Sequence, residues 1–198
     1  MKIALYLGSF NPFHNGHLEA IKTALKDFKM DRVIIVPTMQ NPWKKEKVLD
    51  IDKRIDIINK FLNSSNIIIG YGIEGYYEKY DHGEWIEEKY PIYIENKTYI
   101  SSIEKELIPP YYSYATLHAL KNKYCNDEIF VLCGEDTMKD IPNWMHGGKI
   151  IEDYNFLIVD RPKNSISSSY IRNMIKRGGT INEYVSLNVI DLIKKYYE

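Results

Sequence analysis

The chain has 198 residues, with 26 lysines and arginines against 27 aspartates and glutamates, for a formal net charge of -1. At 44% hydrophobic and 27% charged it has the composition of one globular domain with a full core, and it lacks the basic excess of a protein that holds long nucleic acid. No apolar run reaches the roughly 20 residues that span a bilayer, and Cys125 and Cys133 supply neither a disulfide framework nor a four-cysteine zinc site. MKIALYLGSF is too short in its apolar stretch for a secretory leader, so a reducing cytoplasm is the expected location.

In chain order, residues 3–7 (IALYL) read as a buried strand stopped by Gly8. Leu18, Ile21, Leu25 and Phe28 then repeat at helical spacing. Val33–Val36, closed by Pro37, is a second strand. Asp50 is placed to cap a helix striped by Ile51, Ile55, Ile58 and Leu62, and Ile67–Ile69 before Gly70 is a third strand. Ser113 is placed to cap a helix bearing Leu117, Leu120 and Tyr124. Strands at Ile129–Cys133 and Phe156–Val159 and helices near 169–177 and 188–197 complete the chain. Strands alternating with helices at this spacing predict crossover units and a parallel sheet, with ligands beyond the carboxyl ends of its strands.

Residues 71–112 break that rhythm: they hold nine of the 17 tyrosines and read as an insertion of the kind that forms lids, binding loops or interfaces. Within it, Ile92 and Ile94 on one side of Glu95-Asn96-Lys97, with Thr98 and Ile100 on the other, predict a hairpin.

Two strand-to-helix corners carry the chemistry. The first is Gly8-Ser9-Phe10-Asn11-Pro12-Phe13-His14-Asn15-Gly16-His17. A glycine directly after a strand lets backbone approach a ligand closely, and the following helix offers its N–H groups and positive dipole end to an anion. If that helix starts near Asn15, His14 and His17 fall on one side of its first turn. A His-x-x-His pair also suits half a metal site, but Glu19 is the nearest acid and no ligand spacing is completed. The second corner is Ile166-Ser167-Ser168-Ser169-Tyr170-Ile171-Arg172, where the serines supply a cap and hydroxyl donors and Arg172 a planar fork for phosphate oxygens.

GSFNPFHNGH resembles the nucleotidylyltransferase signature ending in His-x-Gly-His, and ISSSYIR resembles its carboxyl-side companion. Within that superfamily the chain is most similar to the nicotinate/nicotinamide mononucleotide adenylyltransferases, through VPTMQNPWKK at 36–45, SYATLHAL at 113–120, GEDTMKDIPNW at 134–144, DRP at 160–162 and YV at 184–185. It departs from them at Asn41–Lys44, where Pro-Pro-His-Lys is usual, and at Glu135, where alanine is usual.

The resemblance implies an α/β fold with a single doubly wound, Rossmann-like parallel sheet, helices on both faces and an inserted Tyr-rich segment. The implied reaction transfers the adenylyl group of ATP to nicotinate or nicotinamide mononucleotide, releasing pyrophosphate, with Mg2+ carried on ATP and no protein metal cage. It implies catalytic roles for His14, His17 and Arg172, and ATP contacts at Gly8, Ser9, Phe10, Gly16, Gly134, Asp136, Arg161, Ile166, Ser167, Ser168 and Ser169. Asn41, Lys44, Tyr114, Thr116 and Trp144 are assigned to the pyridine substrate; Trp144 offers an indole face for stacking, although a tryptophan packed in the core explains it equally. No nucleic acid or membrane partner is expected, and self-association stays open. So do a different phosphorylated acceptor such as phosphopantetheine, and a nucleotide-binding regulator without turnover.

Overall fold

The computed structural model describes residues 1–39, 48–63, 68–71, 78–81, 84–87, 97–160 and 166–198. In chain order the elements are β1 (Lys2–Gly8), α1 (Asn15–Lys26), β2 (Arg32–Pro37), α2 (Ile51–Asn63), β3 (Ile68–Tyr71), β4 (Glu78–Asp81), β5 (Glu84–Glu87) and β6 (Lys97–Ile100). They continue with α3 (Ser113–Lys123), β7 (Glu128–Gly134), α4 (Glu135–Asp140), α5 (Gly147–Asp153), β8 (Asn155–Val159), α6 (Ser168–Lys176) and α7 (Ile190–Tyr197).

Six of the strands form one sheet in the order β3-β6-β2-β1-β7-β8, every pairing parallel. Alternation along β1 and β2 divides the core. Ala4, Tyr6, Val33 and Ile35 face α1, α2, α6 and α7, represented by Ile21, Phe61, Ile171 and Ile193. Ile3, Leu5, Ile34 and Val36 face the opposite layer, with Leu117 and Leu120 of α3 and Ile150 of α5. A strand buried on both faces reads as an unbroken apolar run, which is why IALYL and VIIV carry no polar alternation. This is the doubly wound arrangement with helices on both faces.

Three local expectations change. Thr98 and Ile100 belong to β6, which is flanked by β2 on one side and β3 on the other, both parallel, so they are sheet interior rather than one arm of a hairpin. Thr98 and Ile100 are buried at 0% and 8% exposure, and a hairpin arm on the surface could not supply that burial. Among the described residues of this region the antiparallel pair is β4 with β5; Ile92 and Ile94 lie outside them. Ser113 is the first helical residue of α3, capped from Tyr112 without a side-chain bond. Phe28 lies beyond the end of α1. Asp50 does cap α2, its Oδ1 accepting from the Asp52 N–H at 3.0 Å.

The chain runs from β1 outward through β2 in one direction and resumes at β7 on the other side of β1. The ladder between β1 and β7 runs from Lys2↔Glu128 to Leu5↔Val131, short of the carboxyl ends at Gly8 and Gly134. The two strand ends thus part at the place where the winding reverses, which is where open α/β sheets take ligands.

Candidate active site

A cavity of about 490 Å³ occupies that crevice, lined from β1 by Gly8, from β7 by Cys133 and Gly134, and from α6 by Ser167–Ser169 and Arg172. Its size is that of a small-molecule site. Ser9, Phe10, Asn11 and His17 line it from the first corner. A Cβ on Gly8 would stand 3.0 Å from the Phe10 ring, so the glycine makes room for that ring. Phe10 itself has φ 43°, a left-handed backbone that a bulky side chain adopts only where its surroundings hold it. Here the ring is buried, edge-on to Tyr6 at 5.2 Å and to His17 at 4.9 Å.

His14 caps α1 and His17 is its third residue. Their rings stack at 3.7 Å between centroids, 25° apart. The His14 N–H donates to His17 Nδ1 at 3.2 Å, so His17 takes the part that Glu or Gln plays in a capping box. A ring nitrogen that accepts carries no proton, which makes Nε2 the donor of neutral His17. His17 reaches the cavity and His14 stands behind it, 3% exposed.

The second corner is bonded to the first. Ser167 caps α6, accepting from the Tyr170 N–H at 3.1 Å. Ser168 Oγ donates to the Pro12 carbonyl at 2.8 Å. Arg172 donates from Nη1 to the Asn11 carbonyl at 2.7 Å and from Nη2 to Ser169 Oγ at 3.2 Å. Ile166 is half-buried, with its carbonyl oxygen 3.9 Å from a Cβ built on Gly16. The hydroxyls of Ser167 and Ser169, a guanidinium, an imidazole N–H and two helix N-termini therefore converge on one cavity, a donor set suited to polyphosphate.

The other expected residues are spread more widely. Asp136 is exposed on the first turn of α4 and is not among the lining residues, whereas Thr137 is. Trp144 and Tyr114 pack, half-buried, against the second core layer, and the Tyr114 ring tilts against His146 at 5.1 Å; neither lines the cavity. Thr116 is 0% exposed and donates to Glu104 Oε1 at 2.7 Å, which corrects its placement at the substrate: its hydroxyl is spent inside the fold. Asn41, Lys44 and Arg161 lie outside the described residues. Among the described residues no group of three or more His, Cys, Asp or Glu could hold a metal ion, and no helix is long and apolar enough to cross a membrane.

Two buried charges, one of them bonded to the first corner, escape the sequence reading. Arg54 is 1% exposed and donates from Nε to the Leu49 carbonyl at 2.6 Å and from Nη1 to the carbonyls of Ser9 at 2.6 Å and Thr38 at 2.8 Å. Glu104, also 1% exposed, accepts from the Met39 N–H at 2.5 Å besides Thr116. Burial lowers the Arg54 pKa and raises that of Glu104. Arg54 had a sequence signal, being a lone arginine on the apolar stripe of α2 between Ile51 and Ile58. Glu104 had none. Tyr197 adds a third tie, its O–H donating to Asn11 Oδ1 at 2.6 Å.

The chain is similar to known proteins over nearly its whole length. A protein from Cytophaga hutchinsonii named "Probable nicotinate-nucleotide adenylyltransferase" is 28% identical, the alignment covering 100% of this chain and 98% of the relative. One of the same name from Flavobacterium johnsoniae is also 28% identical over 98% and 96% of the two chains. The solved nicotinic acid mononucleotide adenylyltransferase of Plasmodium falciparum, complexed with NaAD, superposes with a TM-score of 0.68 at 18% identity, covering 98% of this chain and 95% of that one; at that identity the likeness concerns the fold. The sequence model described as cytidylyltransferase-like matches residues 5–174, a span that contains both corners and all of the sheet except the first three residues of β1, and the chain belongs to that family of nucleotidyltransferases.

Proposed function

We propose that this protein transfers the adenylyl group of ATP to nicotinate mononucleotide, giving the dinucleotide and pyrophosphate, as a step of NAD biosynthesis. The observation that carries the reading is the bonding of the two corners, Arg172 to Asn11 and Ser168 to Pro12, around a cavity rich in donors. The acceptor follows the names of the full-length relatives.

The nucleophile is a phosphate oxygen of the mononucleotide, ionised at neutral pH, so no general base is required. Its bond to the α-phosphorus forms as the bond to the pyrophosphate oxygen breaks. What remains is to align two anions and hold the charge that develops, which is the work of positioned donors. His17, through Nε2–H, is assigned to the reacting α-phosphate with His14 supporting its ring. Arg172 and Ser167–Ser169 are assigned to the β- and γ-phosphates. Gly8, Ser9, Phe10, Gly16, Gly134, Asp136, Arg161 and Ile166 are assigned to ATP as well. Mg2+ arrives on ATP as part of the substrate. Asn41, Lys44, Tyr114 and Trp144 are assigned to the pyridine nucleotide. The chain is read as a single domain with an insertion at about 71–112, acting in the cytoplasm without nucleic acid.

The test is pyrophosphate release from ATP offered, side by side, nicotinate mononucleotide, nicotinamide mononucleotide and phosphopantetheine. The first is expected to be the preferred acceptor by kcat/KM. Turnover with phosphopantetheine alone, or with none of the three, overturns the proposal.

A further inference from the structure

The Thr38–Met39 peptide is gripped from both ends by buried charges. Its carbonyl accepts from Arg54 Nη1 at 2.8 Å and its N–H donates to Glu104 at 2.5 Å. Arg54 and Glu104 are each 1% exposed, and one polar amide bridges them. Burying two charges is costly unless the geometry is exact enough to repay it, and an apolar pair of the same volume would serve the core at least as well. The arrangement therefore suggests a positional role.

The same Nη1 also takes the Ser9 carbonyl at 2.6 Å. Ser9–Phe10 is not among the cis bonds of the chain, and in a trans peptide the carbonyl and the following N–H point in opposite directions. With the Ser9 oxygen drawn inward to Arg54, the Phe10 N–H is turned away from the buried guanidinium, and both residues line the cavity. The Thr38 N–H returns to the Gly8 carbonyl at 2.9 Å, and the Leu49 N–H donates to Asn11 Oδ1 at 3.2 Å. Three chain segments, 8–11, 38–39 and 49, are thus bound around one guanidinium.

We propose that Arg54, backed by Glu104 through the Thr38–Met39 peptide, is a positioning residue that aims the Phe10 N–H at the transferred phosphate. This rests on the adenylyl-transfer reading, since that reading supplies the phosphate. Arg54 touches no substrate itself. It sets the direction of one backbone donor and keeps the phosphate turn in register with the segment that follows β2.

Ser9–Phe10 is the one Ser–Phe dipeptide of the chain, so protein labelled with carbonyl-13C serine and 15N phenylalanine gives a single carbonyl–amide cross-peak from this peptide. Addition of α,β-methylene-ATP to the wild type is expected to shift that peak. In Arg54→Lys, which keeps the charge but loses the fork, the nucleotide-induced shift is expected to fall by more than half. Affinity by calorimetry and both KM values should change less than about threefold, while kcat drops about 10²-fold, as slight misplacement of a reacting group does. Glu104→Gln, nearly isosteric and still able to accept from Met39, provides the second arm if the lysine variant does not fold. Its cross-peak is expected to move without nucleotide, although Glu104 has no bond to Ser9 or Phe10. A wild-type peak that ignores the nucleotide overturns the proposal. So does a folded Arg54→Lys protein with unchanged kcat, or one whose loss lies entirely in affinity; where the lysine variant does not fold, an unmoved peak in Glu104→Gln does the same. A wild type whose peak shifts but which adenylates no mononucleotide would instead sink the assignment of the reaction and leave the positioning role standing.

Discussion

Arg172 Nη1 donates to the Asn11 carbonyl at 2.7 Å across 161 positions of sequence. The bond ties the helix start at residue 168 to the turn that follows β1, and it places the guanidinium on the wall of the cavity with Ser169 as its second partner. The two corners are thereby one unit, which makes the first prediction.

Arg172→Lys replaces a planar fork by a point charge that cannot serve Asn11 and Ser169 in the same geometry. The KM for ATP is expected to rise about 10- to 100-fold, in line with the loss of a charge-assisted hydrogen bond of about 1.5–3 kcal/mol, with a smaller change for the mononucleotide. Steady-state kinetics with each substrate varied in turn checks this. Equal effects on both substrates would remove Arg172 from the ATP side.

His17→Gln separates fold from chemistry. Glutamine at the third position of a helix is a normal capping-box partner, so the acceptor for the His14 N–H is retained and the far-ultraviolet circular dichroism is expected to stay as in the wild type. The imidazole donor is lost, and kcat is expected to fall by about 10²-fold or more. Near-normal turnover in the folded variant refutes the catalytic role of His17.

Tyr197→Phe deletes the O–H that donates to Asn11 Oδ1 at 2.6 Å and keeps the ring. A partly buried hydrogen bond of this kind contributes about 1 kcal/mol net, so the thermal midpoint should drop by about 2–4 °C for a chain of this size. Differential scanning calorimetry measures it. An unchanged midpoint would mean that Asn11 is held by Leu49 and the turn alone.

Alkaline stability tests the packing of the α3–α5 layer. Burial pushes the Tyr154 pKa up to about 12 from an ordinary 10. The folded state therefore holds that proton more tightly than the unfolded state does. Its stabilising contribution is complete below pH 10 and is lost as pH rises from about 10 to about 12. Denaturant titrations are expected to show this loss in the wild type and a reduced loss in Tyr154→Phe. Identical pH slopes for the two proteins would contradict it.

Much of the architecture is written locally. The double-sided burial of β1 and β2, the Asp50 cap, the start of α1 at Asn15 and the Ser167 cap all depend on residues within one or two turns of each other, and such relationships leave a pattern of apolar period and capping type. The contents of the two corners were legible for the same reason. Thr98 and Ile100 show where local reading fails: the turn-like Glu95-Asn96-Lys97 suggested a hairpin, yet β6 takes its partners from β2 and β3. Strand pairing is settled by which apolar strip can be buried between two others, and that is a property of the assembled sheet.

The amino-acid order alone determined a parallel α/β domain with donor-rich turns after its first strand and before its sixth helix. Only the tertiary structure decided that those turns share a cavity, that Thr116 is sealed against Glu104, and that Arg54 binds three segments together. Each of these depends on a side chain meeting a backbone group or a side chain from another segment. Any residue can present a backbone carbonyl or N–H, so neither Asn11 nor Ser9 carries a mark in the sequence that names its distant partner.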